Sequence, residues 1–154
     1  MKRRTRAREL ALQVLYQFDL RGDEVDIEGF LKSEESDRTA AEFAGALVRG
    51  ALEHRDEIDD HIRSVAQNWE ISRMAMVDRN VLRLATFELL FRDDIPPKVS
   101  INEAIELGKR FSTQNSGGFI NGVLDKVKDR QRAKAAADSK RSAVDPLTAP
   151  EPGE

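Results

Sequence analysis

Apolar residues at Ala7, Leu10, Ala11, Val14 and Phe18 recur every three to four positions, the stripe of an amphipathic helix that begins within the first ten residues. A polar turn at residues 21–24 ends it, and residues 25–31 have the length of one or two helical turns. From Thr39 onward, Phe43, Leu47, Ala51, Ile58, Ile62, Val65 and Trp69 keep helical spacing with Glu53, Arg55, Asp56 and Asp59 outside. That predicts one long helix to about residue 67, with Gly50 as the point of any bend. Asp78 is placed to cap the next helix from Arg79, with Val77 and Leu82 at the hydrophobic-staple positions. Between Val81 and Phe91 apolar residues cover nearly every face, so this helix must be surrounded and becomes the central element. Pro96 and Pro97 stop it. Ser100 with Glu103 reads as a capping box opening a helix striped by Ile101, Ala104, Ile105, Gly108 and Phe111. After a polar loop at residues 112–118, the last helix buries Phe119, Ile120, Val123, Leu124 and Val127. No stretch alternates with period two, so the fold is all-α, two small packed helical bundles. One domain is expected over residues 1–132, followed by a disordered tail, 133–154, rich in Ala, Asp, Ser, Lys and Pro without periodicity.

A chain of 154 residues is long enough to bury a core without staples, and with no cysteine it has neither disulfides, thiol chemistry nor zinc ribbons. That composition suits a reducing cytoplasm. No apolar run approaches the ~20 residues of a membrane helix, and no small-residue cleavage site follows the first helix, so neither membrane nor targeting is expected. Catalysis finds no footing. His54 and His61 are two helical turns apart and read as surface or boundary side chains. Gly117-Gly118 lacks the Lys-Ser/Thr of a phosphate loop, and Glu34-Glu35, Asp59-Asp60 and Asp93-Asp94 read as solvated carboxylates. Neither an enzyme nor a metal or cofactor is expected.

Net charge is only -3, but its distribution is uneven. Residues 1–10 carry five basic side chains and one acidic, whereas residues 19–60 carry fourteen acidic and five basic. An acidic body repels nucleic acid except where the basic patch is offered. Lys2, Arg3, Arg4, Arg6 and Arg8 crowd the positive end of the first helix, where stability alone favours Asp or Glu. An external anion is the natural compensation. At about 100° per residue, Lys2, Arg6, Gln13 and Gln17 share the polar side, which offers phosphate contacts followed by amides for base edges. Single-stranded RNA is the leading ligand by this reading, and a solvated basic terminus is the alternative.

The segment SINEAIEL at residues 100–107, followed by FINGVLDK at residues 119–126, closely resembles the NusB family of bacterial transcription antitermination factors. The blocks VDRNVLRLA at residues 77–85 and RARELA at residues 6–11 resemble that family in the same order, so the likeness covers about residues 1–130. The resemblance implies two perpendicular helical bundles and no chemistry. It implies a partner, NusE, a small-subunit ribosomal protein, with which the family binds boxA RNA on polymerase to promote antitermination, notably in ribosomal RNA synthesis. Residue by residue, it places RNA contacts on Lys2, Arg3, Arg4, Arg6 and Arg8, with Gln13 on the same side, and on Asn115 and Phe119. It places NusE contacts on Tyr16 and Asp78. Asn115 and Gly117-Gly118 depart from the more charged residues often seen in that loop.

The residues themselves allow plainer roles. By period Phe119 shares a stripe with Val123 and reads as core, Asp78 is a helix cap first, and Tyr16 lies off the main stripe with its ring at the rim. Arg83 on the crowded helix reads as structurally paired, and Gly122, costing about 1 kcal/mol against Ala, predicts a close backbone approach. The competing functions are a helical interaction module, such as a homodimer with a merely solubilising basic end, and the RNA-binding domain of a ribosomal RNA methyltransferase. For the latter, no catalytic domain is expected to fit after residue 133.

Overall fold

The computed structural model describes residues 2–22 and 24–148. Among these the chain is all-helical: α1 Arg3–Arg21, α2 Ile27–Glu34, α3 Arg38–Glu53, α4 Arg55–Val65, a 3-10 turn at Ile71–Arg73, α5 Met76–Phe91, α6 Pro97–Phe111 and α7 Ser116–Thr148. The helix with apolar residues on nearly every face is the centre, as its pattern requires. Nine consecutive α5 residues, 80–88, are buried, and α1, α3, α4, α6 and α7 all pack on it. The core is one continuous cluster in which Leu10, Leu47, Ile58, Leu82, Leu84 and Leu124 are fully buried. Each contributes roughly 1.5–3 kcal/mol through burial.

Four local expectations give way to tertiary contacts. The long helix from Thr39 is two helices, because His54, at φ -105° and ψ 22°, breaks it; His54 stacks on Phe91 with ring centroids 4.0 Å apart. α3 runs on through Gly50, which receives Phe87, whose Cζ would lie 2.1 Å from any Cβ there. The Ser100–Glu103 capping box is absent. α6 starts at Pro97, and both side chains look into the protein: Ser100 Oγ donates to Glu88 at 2.7 Å, and Glu103 accepts from Thr5 Oγ1 at 2.8 Å. Gly122 is exposed with nothing near it, and the close approach falls at Gly108, where a Cβ would meet Ile120 Cδ1 at 2.3 Å.

His61 and Asp59, expected at the surface, are buried. Burial first, then the charges of Arg130 and Lys134, push the His61 pKa below its ordinary value. α7 runs on past Arg132, and residues 132–140 are exposed along it. An Ala-rich, charged stretch with good helix propensity and no apolar face extends a helix that the body has already nucleated. The remaining tail positions, 149–154, lie outside the described residues.

Candidate nucleic-acid interface

α1 begins without the usual protection of a helix start. Lys2 occupies the N-cap in extended geometry, makes no side-chain cap, and no acidic residue lies in the first turn. The first-turn N–H groups therefore open outward with their partial positive charge. Lys2, Arg3 and Arg4 are exposed and Arg6 is half-buried. Their charges are not equally available. Arg3 Nε donates to Asp37 Oδ2 at 2.8 Å, and Asp37 is held below the usual carboxylate range by the Ala40 N–H and then by Arg3. Arg6 lies 3.5 Å from both Glu9 and Glu35. Among the described residues Lys2 and Arg4 form no ion pair; the Arg4 guanidinium instead lies over the Phe43 ring, 4.3 Å from its centroid.

Arg8 departs from the expected set. It is 3% exposed, and its guanidinium grips Glu88 in a fork of 2.9 and 2.8 Å, with Glu103 at 3.5 Å. Burial opposes its charge, but Glu88 and Glu103 outweigh that and raise its pKa. A side chain so enclosed ties α1 to α5 and α6 and has no face left for RNA. Its partner is eighty residues away, so only the fold could reveal the pairing.

A second buried network holds the other end of α1. Asp19 accepts from Arg79 at 2.7 and 2.9 Å, from Asn80 at 2.8 Å and from Arg83 at 3.3 Å, and Arg83 reaches on to Asp59 at 2.9 and 3.2 Å. Burial works against the Asp19 carboxylate, but these donors prevail and hold it below its ordinary pKa. The expected structural pairing of Arg83 is present.

The remaining candidates fall into two adjacent grooves. One, of about 310 Å³, is lined by Gln13, Tyr16, Val77 and Phe111. Gln13 thus sits beside Tyr16, two turns along α1 from Arg6 and on the same side of that helix. The other, of about 230 Å³, is lined by Asp78, Asn115, Phe119 and Trp69. Asn115 is exposed, while Phe119 is half-buried with its ring edge-on to Trp69, centroids 5.8 Å apart at 66°. Asp78 caps nothing, since α5 starts at Met76 behind Ala75. Its Oδ2 instead accepts from Ser116 Oγ at 3.1 Å, pinning the start of α7 to α5, and its Oδ1 is buried with no hydrogen-bond partner among the described residues. Trp69, read from sequence as a stripe residue, is 56% exposed at the edge of this groove. The signal that would have found it is its place among Gln67, Asn68 and Glu70, a polar run that cannot belong to a buried helix face.

Among the described residues no helix is long and apolar enough to cross a membrane, and no cluster of His, Cys, Asp or Glu is placed to hold a metal ion.

The NusB family model matches residues 5–129. The transcription antitermination protein NusB of Anaeromyxobacter dehalogenans is 56% identical over 128 residues, covering 81% of this chain and 89% of that protein. That of Desulforapulum autotrophicum is 50% identical over 129 residues, covering 81% and 90%. Among solved structures, T. maritima NusB superposes with a TM-score of 0.75 at 45% identity, covering 84% of this chain and 92% of that one. The crystal structure of antitermination factors NusB and NusE in complex with dsRNA contains a chain that superposes with a TM-score of 0.74 at 34% identity, covering 84% and 98%. With a match over most of its length and relatives at half identity or above, the chain belongs to the NusB family of transcription antitermination proteins.

Proposed function

We propose that this antitermination protein binds boxA-type RNA through the start of α1, with Lys2, Arg3, Arg4 and Arg6 on phosphates and Asn115 and Phe119 further along the strand. The observation that carries the reading is the uncapped, acid-free first turn of α1, on which Lys2 and Arg4 hold charge with no ion pair among the described residues. NusE is the partner proposed for the Tyr16 groove, whose Val77 and Phe111 give an apolar floor and whose Gln13 gives a polar edge. Asp78, half-buried and engaged by Ser116, lines the neighbouring Asn115–Phe119 groove and meets the same partner at the junction of the two, beside Val77. The chain so equipped acts in the RNA polymerase antitermination complex in the cytoplasm. A related chain crystallised with NusE and RNA supports the pairing.

RNA affinity measured across salt, with and without NusE, tests this. Each phosphate contact to a single strand contributes about -0.7 to the slope of log affinity against log salt, so replacing Lys2, Arg3, Arg4 and Arg6 by Ala should flatten the slope by up to about 3. A variant that melts normally and binds with unchanged affinity and slope would overturn the reading and favour an interaction module or homodimer. Sedimentation of the protein without NusE would then show the dimer directly.

A further inference from the structure

At the end of α1 away from its basic start, α4, from its first residue onward, and the 3-10 turn face α5 across an open cleft of about 920 Å³. Its floor is the buried network of Asp19, Asp59, Arg79 and Arg83, whose two carboxylates are already engaged by the two guanidiniums. Its rim carries Arg55, Arg63 and Arg73, all exposed and each loosely tethered: Arg55 is 3.9 Å from Asp59, Arg73 3.6 Å from Glu70, and Arg63 donates to Asp60 at 3.0 Å. Five arginines line the cleft against Asp19, Asp59 and Glu70, with Asp60 beside Arg63 as a fourth carboxylate. Such an excess of cations is a local exception in a chain of net charge -3.

Two further observations select the occupant. Trp69 stands exposed on the cleft wall, and both Trp69 and Arg73 also line the groove of Asn115 and Phe119, so the two concavities meet at these residues. An exposed indole flanked by guanidiniums suits single-stranded nucleic acid, because a base stacks on the ring while phosphates meet the cations. An acidic peptide would satisfy the arginines and leave the indole without a planar partner. We infer that this cleft holds the backbone of a single-stranded RNA continuing beyond the Asn115–Phe119 groove, with one base stacked on Trp69. The inference rests on the RNA-binding reading above. The 19 residues of α1 separate the cleft from the basic start, a helix of about 28 Å. An RNA of about 12 nucleotides, within the site sizes single-strand binders use, serves as the probe.

Trp69 is the chain's one tryptophan, so its emission reports on the place where the cleft meets the Asn115–Phe119 groove. Substitutions at Arg55 and Arg63, which line the cleft but not the groove, separate the two. An end-labelled RNA of boxA type gives total binding by anisotropy, while the share of Trp69 quenching that depends on Arg55 and Arg63 gives occupancy of the cleft. The wild-type chain should bind with saturable quenching. The double variant R55E/R63E, altering two exposed side chains, should melt normally, lose most of the quenching, bind several-fold more weakly and show a salt slope flatter by about 1.4, two contacts' worth. Binding without quenching in the wild type overturns the cleft inference and leaves the RNA reading standing. So does a double variant that keeps both affinity and quenching. No anisotropy change in the wild type overturns both. Quenching by poly-glutamate but not by RNA reassigns the cleft to an acidic protein partner.

Discussion

Arg4 and Arg8 stand one turn apart on α1 and lie against the same ring, 4.3 and 5.5 Å from the centroid of Phe43. From there they diverge. The outer turn, Lys2 to Arg4, faces solvent, and among the described residues its cations make one ion pair, Arg3 with Asp37. The inner turn is enclosed, and Arg8 meets Glu88 in a fork while Ser100 and Thr5 complete the shell around the two acids. One residue type thus serves two purposes within a single basic run, and burial together with a carboxylate partner decides which.

The comparison breaks most visibly from the inner side. Glu88→Gln leaves the buried Arg8 guanidinium only Glu103, at 3.5 Å, as counter-charge, and losing one partner of a buried pair costs up to about 3–5 kcal/mol. Urea unfolding should show that loss in the midpoint, and a variant within 1 kcal/mol of wild type would mean, on the same scale, that Arg8 can turn out to water.

A smaller effect separates the two arginines directly. Arg4→Ala should weaken RNA binding and leave stability within about 0.5 kcal/mol, as exposed substitutions usually do. Arg8→Ala should do the reverse, lowering the melting temperature while the folded fraction binds RNA with an unchanged salt slope. Two variants with the same binding defect and the same melting temperature would erase the distinction.

The smallest effect is in acid. Asp19 has a folded pKa below its ordinary value of 3.8, so its contribution is fully present above that value and fades as pH falls through the folded one. Stability of the wild type and of Asp19→Asn should therefore converge between about pH 5 and pH 2. A constant gap across that range would show that Asp19 acts through shape and neutral hydrogen bonds.

What the sequence showed and what it hid divide along the same line. The crowded apolar pattern of residues 81–91 requires a central helix because its cause, burial on every face, is written in consecutive residues. The NusB likeness was legible for a similar reason, in contiguous blocks. The break at His54 was hidden because Ile58 and Ile62 continue the apolar period in phase across it. Ser100 and Glu103 satisfied a local capping rule, yet both are taken by partners from α5 and α1 that no local pattern announces. Of the candidate site, the exposed cations at Lys2, Arg3 and Arg4 follow from position alone, whereas the withdrawal of Arg8 and the exposure of Trp69 depend on contacts distant in sequence.

Gly50 carries one more implication. The ring of Phe87 occupies the space where a side chain at position 50 would go, and Phe91 stacks behind that ring at 5.6 Å. Volume at 50 and 87 is therefore a single shared quantity. Enlarging position 50 to Ala alone overpacks the site, while pairing that change with a smaller residue such as Leu at 87 restores the total. Substitutions at these two places are non-additive, and descendants of this chain should alter them as a couple, if at all.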